Sequence, residues 1–133
     1  MRRLGLNRLV LRYGARVVFE RAQRTFLEHG RLPAAIANDL WRGFRRDEVR
    51  AHLRRMCAGY QASLPRVTRL FADIDIDTMV VWADADPHFP LAQAEALVAA
   101  LPSAQLRTLP GASHWFMWDR PDEVADTLLE FTA

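Results

Sequence analysis

The first half of the chain repeats apolar residues at the three- and four-residue spacing of amphipathic helices. This pattern predicts helices over residues 15–29, 32–44 and 46–59, and the polar face of the third helix carries arginines. Gly59 lies near the expected end of that helix, because glycine is a common helix stop. Pro65 is expected to restart the chain in a further short helical pattern.

The second half changes to alternating strands and helices. Short buried strands are predicted over residues 78–82 and 105–109, the first being an apolar run rich in β-branched side chains. Amphipathic helices are predicted over residues 90–101 and 121–131. A strand–helix–strand order requires a crossover connection, so the two strands are expected to be parallel. The sequence therefore indicates an α/β architecture in this half.

Asp86 and His114 occupy equivalent positions in this pattern, each after a strand and before a helix. In parallel sheets, active residues lie in loops beyond the carboxyl ends of the strands. A carboxylate can fix the tautomer of an imidazole, which can then deprotonate a nucleophile or water. The alternative interpretation is a histidine that is simply a polar surface residue. Asp84 is a rival acid on the same loop.

Residues 74–131 resemble the C-terminal part of the α/β-hydrolase family. Around its triad acid the family usually shows Ile-x-Val-Pro-Thr-Leu-Val-x-Trp-Gly-x-x-Asp-x-x-x-Pro, and residues 74–90 read Ile-Asp-Ile-Asp-Thr-Met-Val-Val-Trp-Ala-Asp-Ala-Asp-Pro-His-Phe-Pro. The family's Pro-Gly-x-x-His stands here as Pro-Gly-Ala-Ser-His, followed by an Asp-Arg-Pro-Asp-Glu-Val stretch. The resemblance implies that Asp86 is the triad acid and His114 the triad histidine.

The resemblance also gives an expectation for the helical half. Residues 1–72 look like the cap, or lid, that the family inserts before the acid-bearing strand, and residues 73–133 look like the C-terminal βαβα part of the core. The segment around Tyr60 is loosely similar to a cap segment of epoxide hydrolases, where a tyrosine hydrogen-bonds the epoxide. Tyr60 and Trp115 are therefore candidate substrate-binding residues, and the resemblance leans to the epoxide hydrolase and haloalkane dehalogenase-like branch. Both could equally be packing residues.

The nucleophile of such a site is not visible. The fold carries it as Gly-x-Nuc-x-Gly on a strand-to-helix turn, and none of the three serines lies between two such glycines. Two parallel strands are not expected to form a stable sheet alone. The sequence therefore predicts a partial α/β-hydrolase fold that supplies acid and histidine for hydrolysis of an ester, epoxide or carbon–halogen bond. A small-molecule substrate is expected to bind only if an N-terminal half completes the fold. A partner chain or a homo-oligomer is expected to cover the exposed sheet edges.

Charge suggests a different function. Residues 1–72 hold 16 arginines and 5 acidic residues, a net +11, whereas residues 73–133 hold 2 arginines and 11 acidic residues, a net −9. This split is typical of a basic surface for nucleic acid or another anion, or of two layers that face each other. The arginines are spread along amphipathic helices, so nucleic acid is not expected. A non-catalytic fragment or an arginine-rich helical interaction protein remains the alternative.

Composition excludes several further classes. The single Cys57 cannot form an internal disulfide or a cysteine-based metal site. The four histidines lack ligand-like spacing and the chain has no glycine-rich phosphate loop, so neither a metal nor an organic cofactor is expected. No apolar run approaches the roughly 20 residues of a membrane helix, and a cytoplasmic protein is expected.

Overall fold

The fold is a helical region followed by a small α/β unit. A computed structural model describes residues 4–133. The helical region comprises α1 (Leu4–Tyr13), α2 (Ala15–Phe26), α3 (Ala34–Phe44) and α4 (Asp47–Thr68). A 3₁₀ turn (Phe71–Asp73) leads into β1 (Thr78–Ala83), α5 (Leu91–Ala100), β2 (Ala104–Leu109), α6 (Phe116–Asp119) and α7 (Pro121–Thr132). Every helix within these residues falls short of the length and apolar character that a membrane crossing demands.

The three helices predicted in the first half are present, but two of their ends differ. α2 ends at Phe26, because Leu27 turns into extended backbone, with φ −110° and ψ 141°. α4 continues through Gly59 and Pro65 to Thr68, so the expected stop and restart are wrong. Proline removes one backbone hydrogen bond and glycine costs about 1 kcal/mol in a helix. α4 tolerates both, and Pro65 lies only three residues before its end.

The two strands pair in parallel, as the crossover connection predicts. Their register runs from Thr78 opposite Ala104 to Ala83 opposite Leu109. The described residues form one sheet of two strands, and each strand is paired along one edge only. The architecture therefore agrees with a partial α/β fold, and both strands end at the same level.

Helices cover both faces of this sheet. Val80 joins a buried cluster with Ala94 of α5 and Leu101. Ala83 joins a second cluster with Leu109 and Ala112, against which Val124 of α7 packs among the partly buried side chains. Because alternate residues of a strand point to opposite faces, α5 and α7 lie on opposite sides of the sheet.

The helical region has its own small aromatic core. Phe19 is buried, and its ring centroid lies 5.5 Å from that of Trp41 and 5.9 Å from that of Phe44. The buried Gln23 side chain accepts a hydrogen bond from the backbone N–H of Leu32, at 3.1 Å. These contacts hold α2 and α3 together. Whether residues 1–72 form a separate cap remains a prediction, and residues 1–3 lie outside the described part of the chain.

Candidate active site

Two loops meet beyond the carboxyl ends of the strands. The acid loop, residues 84–90, follows β1, and the histidine loop, residues 110–115, follows β2. Because Ala83 and Leu109 are opposite each other in the register, both loops begin at the same height. A backbone hydrogen bond from Ala85 N to Ala112 O joins them at 3.2 Å. The fold thus holds the two loops side by side.

Asp86 and His114 are in direct contact across these loops. His114 Nδ1 lies 2.7 Å from Asp86 Oδ2. The Asp86 side chain is 8% exposed, although the residue as a whole is less buried, and the His114 side chain is 26% exposed. The other carboxylate oxygen, Oδ1, accepts hydrogen bonds from the backbone N–H groups of His88 and Phe89. The carboxylate therefore has both oxygens engaged and is fixed in one orientation.

These contacts determine the charge of the acid. Desolvation by burial would raise the pKa of Asp86, but hydrogen bonds from His114 and from the backbone of His88 and Phe89 outweigh it, and the pKa is lowered. An ionised carboxylate can only accept hydrogen bonds. His114 Nδ1 is consequently the donor in this pair. In the neutral imidazole, Nε2 then carries the free lone pair and can accept a proton.

Asp84, the rival acid, has a different partner. Its Oδ1 accepts a hydrogen bond from the backbone N–H of Gly111 at 2.6 Å. Gly111 has a φ of +69°, in the left-handed region that favours glycine. Asp84 therefore fixes the turn that precedes the histidine, whereas Asp86 contacts the histidine itself.

Aromatic rings surround the imidazole. Phe89 stacks on His114 with centroids 5.2 Å apart and planes 18° apart. Phe26, the last residue of α2, lies 4.7 Å from the imidazole centroid. The His88 ring lies 6.0 Å away. Sequence reasoning did not single out these three residues for the site: His88 and Phe89 could have been found inside the acid motif, whereas Phe26 belongs to the apolar pattern of a distant helix.

The two candidate substrate-binding residues lie in different places. The Trp115 ring is partly buried 5.2 Å from the Phe26 ring. Its backbone N–H donates a hydrogen bond to the Phe26 carbonyl at 2.8 Å. Tyr60 lies in α4 and is partly buried. Within the described residues, no hydrogen bond, ion pair or aromatic contact joins Tyr60 to Asp86 or His114, whereas Trp115 directly follows His114 in the sequence.

Comparison with known proteins identifies the class. The model of the alpha/beta hydrolase family matches residues 2–127. The chain belongs to the alpha/beta hydrolase family. The fold agrees with that of a serine hydrolase involved in carbazole degradation (CarC enzyme), whose crystal structure matches with a TM-score of 0.64 at 18% identity. The match covers 94% of this chain and 46% of that chain.

Curated relatives match part of the chain. A 2-hydroxy-6-oxo-6-phenylhexa-2,4-dienoate hydrolase from Burkholderia cepacia is 34% identical over 67 residues, which are 50% of this chain and 23% of that protein. A 2-hydroxy-6-oxononadienedioate/2-hydroxy-6-oxononatrienedioate hydrolase 1 from Pseudomonas putida is 29% identical over 83 residues, covering 60% of this chain and 29% of that protein. The matched segments span less than a third of these relatives. Their names do not confirm the lean to epoxide hydrolases.

Proposed function

We propose that Asp86 and His114 are the acid and the base of a hydrolytic site. The observation that carries this proposal is the 2.7 Å contact between His114 Nδ1 and Asp86 Oδ2 at the carboxyl ends of two paired parallel strands. This contact leaves Nε2 free to take a proton from a hydroxyl nucleophile or from water. The ionised Asp86 stabilises the imidazolium that forms.

The nucleophile comes from outside these 133 residues. The printed sequence has no Gly-x-Nuc-x-Gly turn, and such a turn is where the fold carries its nucleophile. The remainder of an α/β-hydrolase core, as part of the same protein or as a partner chain, pairs with the open edge of the two-stranded sheet and presents the nucleophile to His114. A second copy of this chain covering that edge is the alternative.

The helical region acts as a cap over this site. Phe26 of α2 already lies against the imidazole. A cap selects the substrate and excludes bulk water, which strengthens the electrostatic interactions beneath it. Trp115 lines the substrate pocket in this proposal. Tyr60 binds the substrate only if α4 lies over the nucleophile once the rest of the α/β-hydrolase core is in place.

The substrate we propose is a 2-hydroxy-6-oxo-dienoate. Relatives that are 34% and 29% identical are named as hydrolases of such compounds. Esters, epoxides and carbon–halogen compounds are the competing substrates from the sequence analysis. They are distinguished by assaying one completed enzyme with a representative of each class.

The first experiment tests the acid–base pair in the chain itself. In the neutral imidazole of ¹⁵N-labelled protein, we expect His114 to carry its proton on Nδ1, where the ionised Asp86 accepts it. In Asp86→Asn the side-chain amide can donate to Nδ1, so the proton moves to Nε2. Asp84→Asn is the matched control and leaves the proton on Nδ1. Wild-type His114 protonated on Nε2 would contradict the proposal.

The second experiment tests turnover. In a chimaera, residues 73–133 of this chain replace the C-terminal part of the Burkholderia hydrolase, and hydrolysis of the named dienoate is measured. We expect activity that falls by about 10³-fold or more in His114→Ala and that is retained in Asp84→Asn. A folded chimaera whose activity does not depend on His114 would overturn the assignment.

A further inference from the structure

A short segment of the helical region contacts the histidine loop and the residues that follow it. Residues 26–28, which end and follow α2, contact residues 110–120 at five points although about 90 positions separate them in sequence. We call residues 26–28 the clamp segment.

Two backbone contacts fix the position of the clamp segment. The carbonyl of Phe26 accepts a hydrogen bond from the N–H of Trp115 at 2.8 Å. The N–H of Glu28 donates to Asp119 Oδ2 at 2.9 Å. Trp115 directly follows the histidine, so the first of these bonds restrains the backbone on one side of His114.

A side-chain ion pair restrains the other side of the loop. Arg120 Nε donates to Glu28 Oε1 at 2.7 Å, and both side chains are about three-quarters buried, with exposed fractions of 26% and 21%. The same guanidinium donates through Nη1 to the carbonyl of Pro110 at 2.9 Å. Arg120 therefore connects Glu28 to the turn at which the histidine loop begins. A planar guanidinium is suited to this double contact, because its donors point in fixed directions.

The Phe26 ring completes the arrangement. Its centroid lies 4.7 Å from that of His114, and Phe89 stacks on the imidazole at 5.2 Å. Asp86 holds the Nδ1 edge of the same ring. The imidazole is thus confined by one carboxylate and by the rings of Phe26, Phe89 and His88, and the Phe26 ring belongs to the helical region.

We propose that Phe26 and the Glu28–Arg120 ion pair are positioning residues, which make the orientation of the His114 imidazole depend on the docking of the helical region. The proposal rests on the proposed function, in which His114 is the reacting base. The clamp segment would thus affect catalysis without touching the substrate. When α2 is displaced, the hydrogen bond between His114 and Asp86 loosens, and Nε2 no longer points towards the nucleophile.

Charge supports this role. The helical half carries an excess of arginine and the second half an excess of acids. Within the described residues, the ion pair that joins the two halves has the opposite polarity, with the glutamate on the helical side and the arginine on the other. General attraction between a basic and an acidic layer therefore does not account for this contact. Specific geometry at the histidine loop does.

The test measures the His114 Nδ1 proton in the full 133-residue chain. Glu28→Ala removes the ion pair, whose contribution to the free energy of opening the histidine loop is of the size of one hydrogen bond. Exchange of this proton with solvent is therefore expected to accelerate about fivefold or more. Phe26→Leu, which keeps an apolar side chain, and Arg120→Lys, which keeps the charge but not the planar fork, are expected to act in the same direction. Glu20→Ala is the matched control: it removes an exposed ion pair with Arg16 on the same helix and leaves the exchange rate unchanged.

Global stability is measured in parallel by urea unfolding, because a merely structural role would accelerate exchange of the Nδ1 proton only as far as global unfolding becomes more frequent. The inference requires an acceleration larger than the loss of global stability accounts for, and an acceleration that only follows this loss overturns it. Wild-type exchange in Glu28→Ala, Phe26→Leu and Arg120→Lys alike overturns the inference and leaves the proposed function intact. Equal acceleration in Glu20→Ala also overturns it. Absence of an Nδ1 proton in the wild-type protein overturns both the inference and the proposed function.

Discussion

Asp84 and Asp86 lie on the same loop, one residue apart, yet their carboxylates hold different parts of the histidine loop. Asp86 contacts the imidazole of His114 at 2.7 Å, and Asp84 accepts the backbone N–H of Gly111 at 2.6 Å. One acid thus sets the tautomer of the base and the other sets the turn before it. Their substitutions are expected to have separable effects.

Asp84→Ala should lower stability without altering the tautomer of His114. The lost hydrogen bond has a charged acceptor but lies at an exposed site, so we expect a decrease of about 1 kcal/mol in the free energy of unfolding. Urea unfolding measures it. Asp75→Ala, another exposed aspartate, serves as the control and should be within about 0.5 kcal/mol of the wild type.

Acid should destabilise the protein partly through Asp86. Because the folded-state pKa of Asp86 is lowered from 3.8, its contribution to stability is complete above that ordinary value and is lost as pH falls through the lower folded value. Thermal unfolding from pH 6 to pH 2 should therefore show a steeper loss at the acid end for the wild type than for Asp86→Asn. Parallel profiles would contradict the lowered pKa.

Leu109→Ala should lower the free energy of unfolding far more than Leu129→Ala does. Leu109 ends β2 at 1% exposure and packs in a buried cluster with Ala83 and Ala112. Truncating such a buried leucine costs about 3 kcal/mol, from lost burial and the cavity left behind. Leu129→Ala is the control, because that side chain is 67% exposed. A similar loss of stability in the two variants would contradict the burial assigned to Leu109.

Two glycines should respond to alanine in opposite directions. Gly111 has a φ of +69°, a backbone conformation that strains any residue with a Cβ, so Gly111→Ala should destabilise by about 1–2 kcal/mol. Gly59 lies within α4 with open space around it, so Gly59→Ala should stabilise by about 0.5–1 kcal/mol. Differential scanning calorimetry of both variants checks the signs.

The chain alone should not turn over at the rate of a complete triad. His114 without a nucleophile can supply only general-base assistance. Hydrolysis of nitrophenyl esters by the pure protein should therefore stay within about 10²-fold of that by His114→Ala. Rapid hydrolysis that disappears in His114→Ala would place a nucleophile within these residues and contradict the proposed function.

The pattern of apolar residues predicted much of the fold because each element is locally amphipathic or locally buried. The strand from Thr78 and the helix from Pro121 were found within one residue of their observed ends. The C-terminal end of α4 was predicted too early, because Gly59 and Pro65 are local stop signals. A helix of this length tolerates them, and the balance between propensity and packing is not visible in the local sequence.

By itself, the sequence determined that two parallel strands end in an aspartate and a histidine loop, because spacing along a strand–helix–strand unit fixes which ends meet. Only the tertiary structure decided what surrounds the imidazole. Phe26 and Glu28 fit the regular polar and apolar pattern predicted for residues 15–29, and nothing local distinguishes them from their neighbours. Their contacts with the histidine loop depend on how α2 packs across about 90 intervening residues, and periodicity does not encode contacts over that distance.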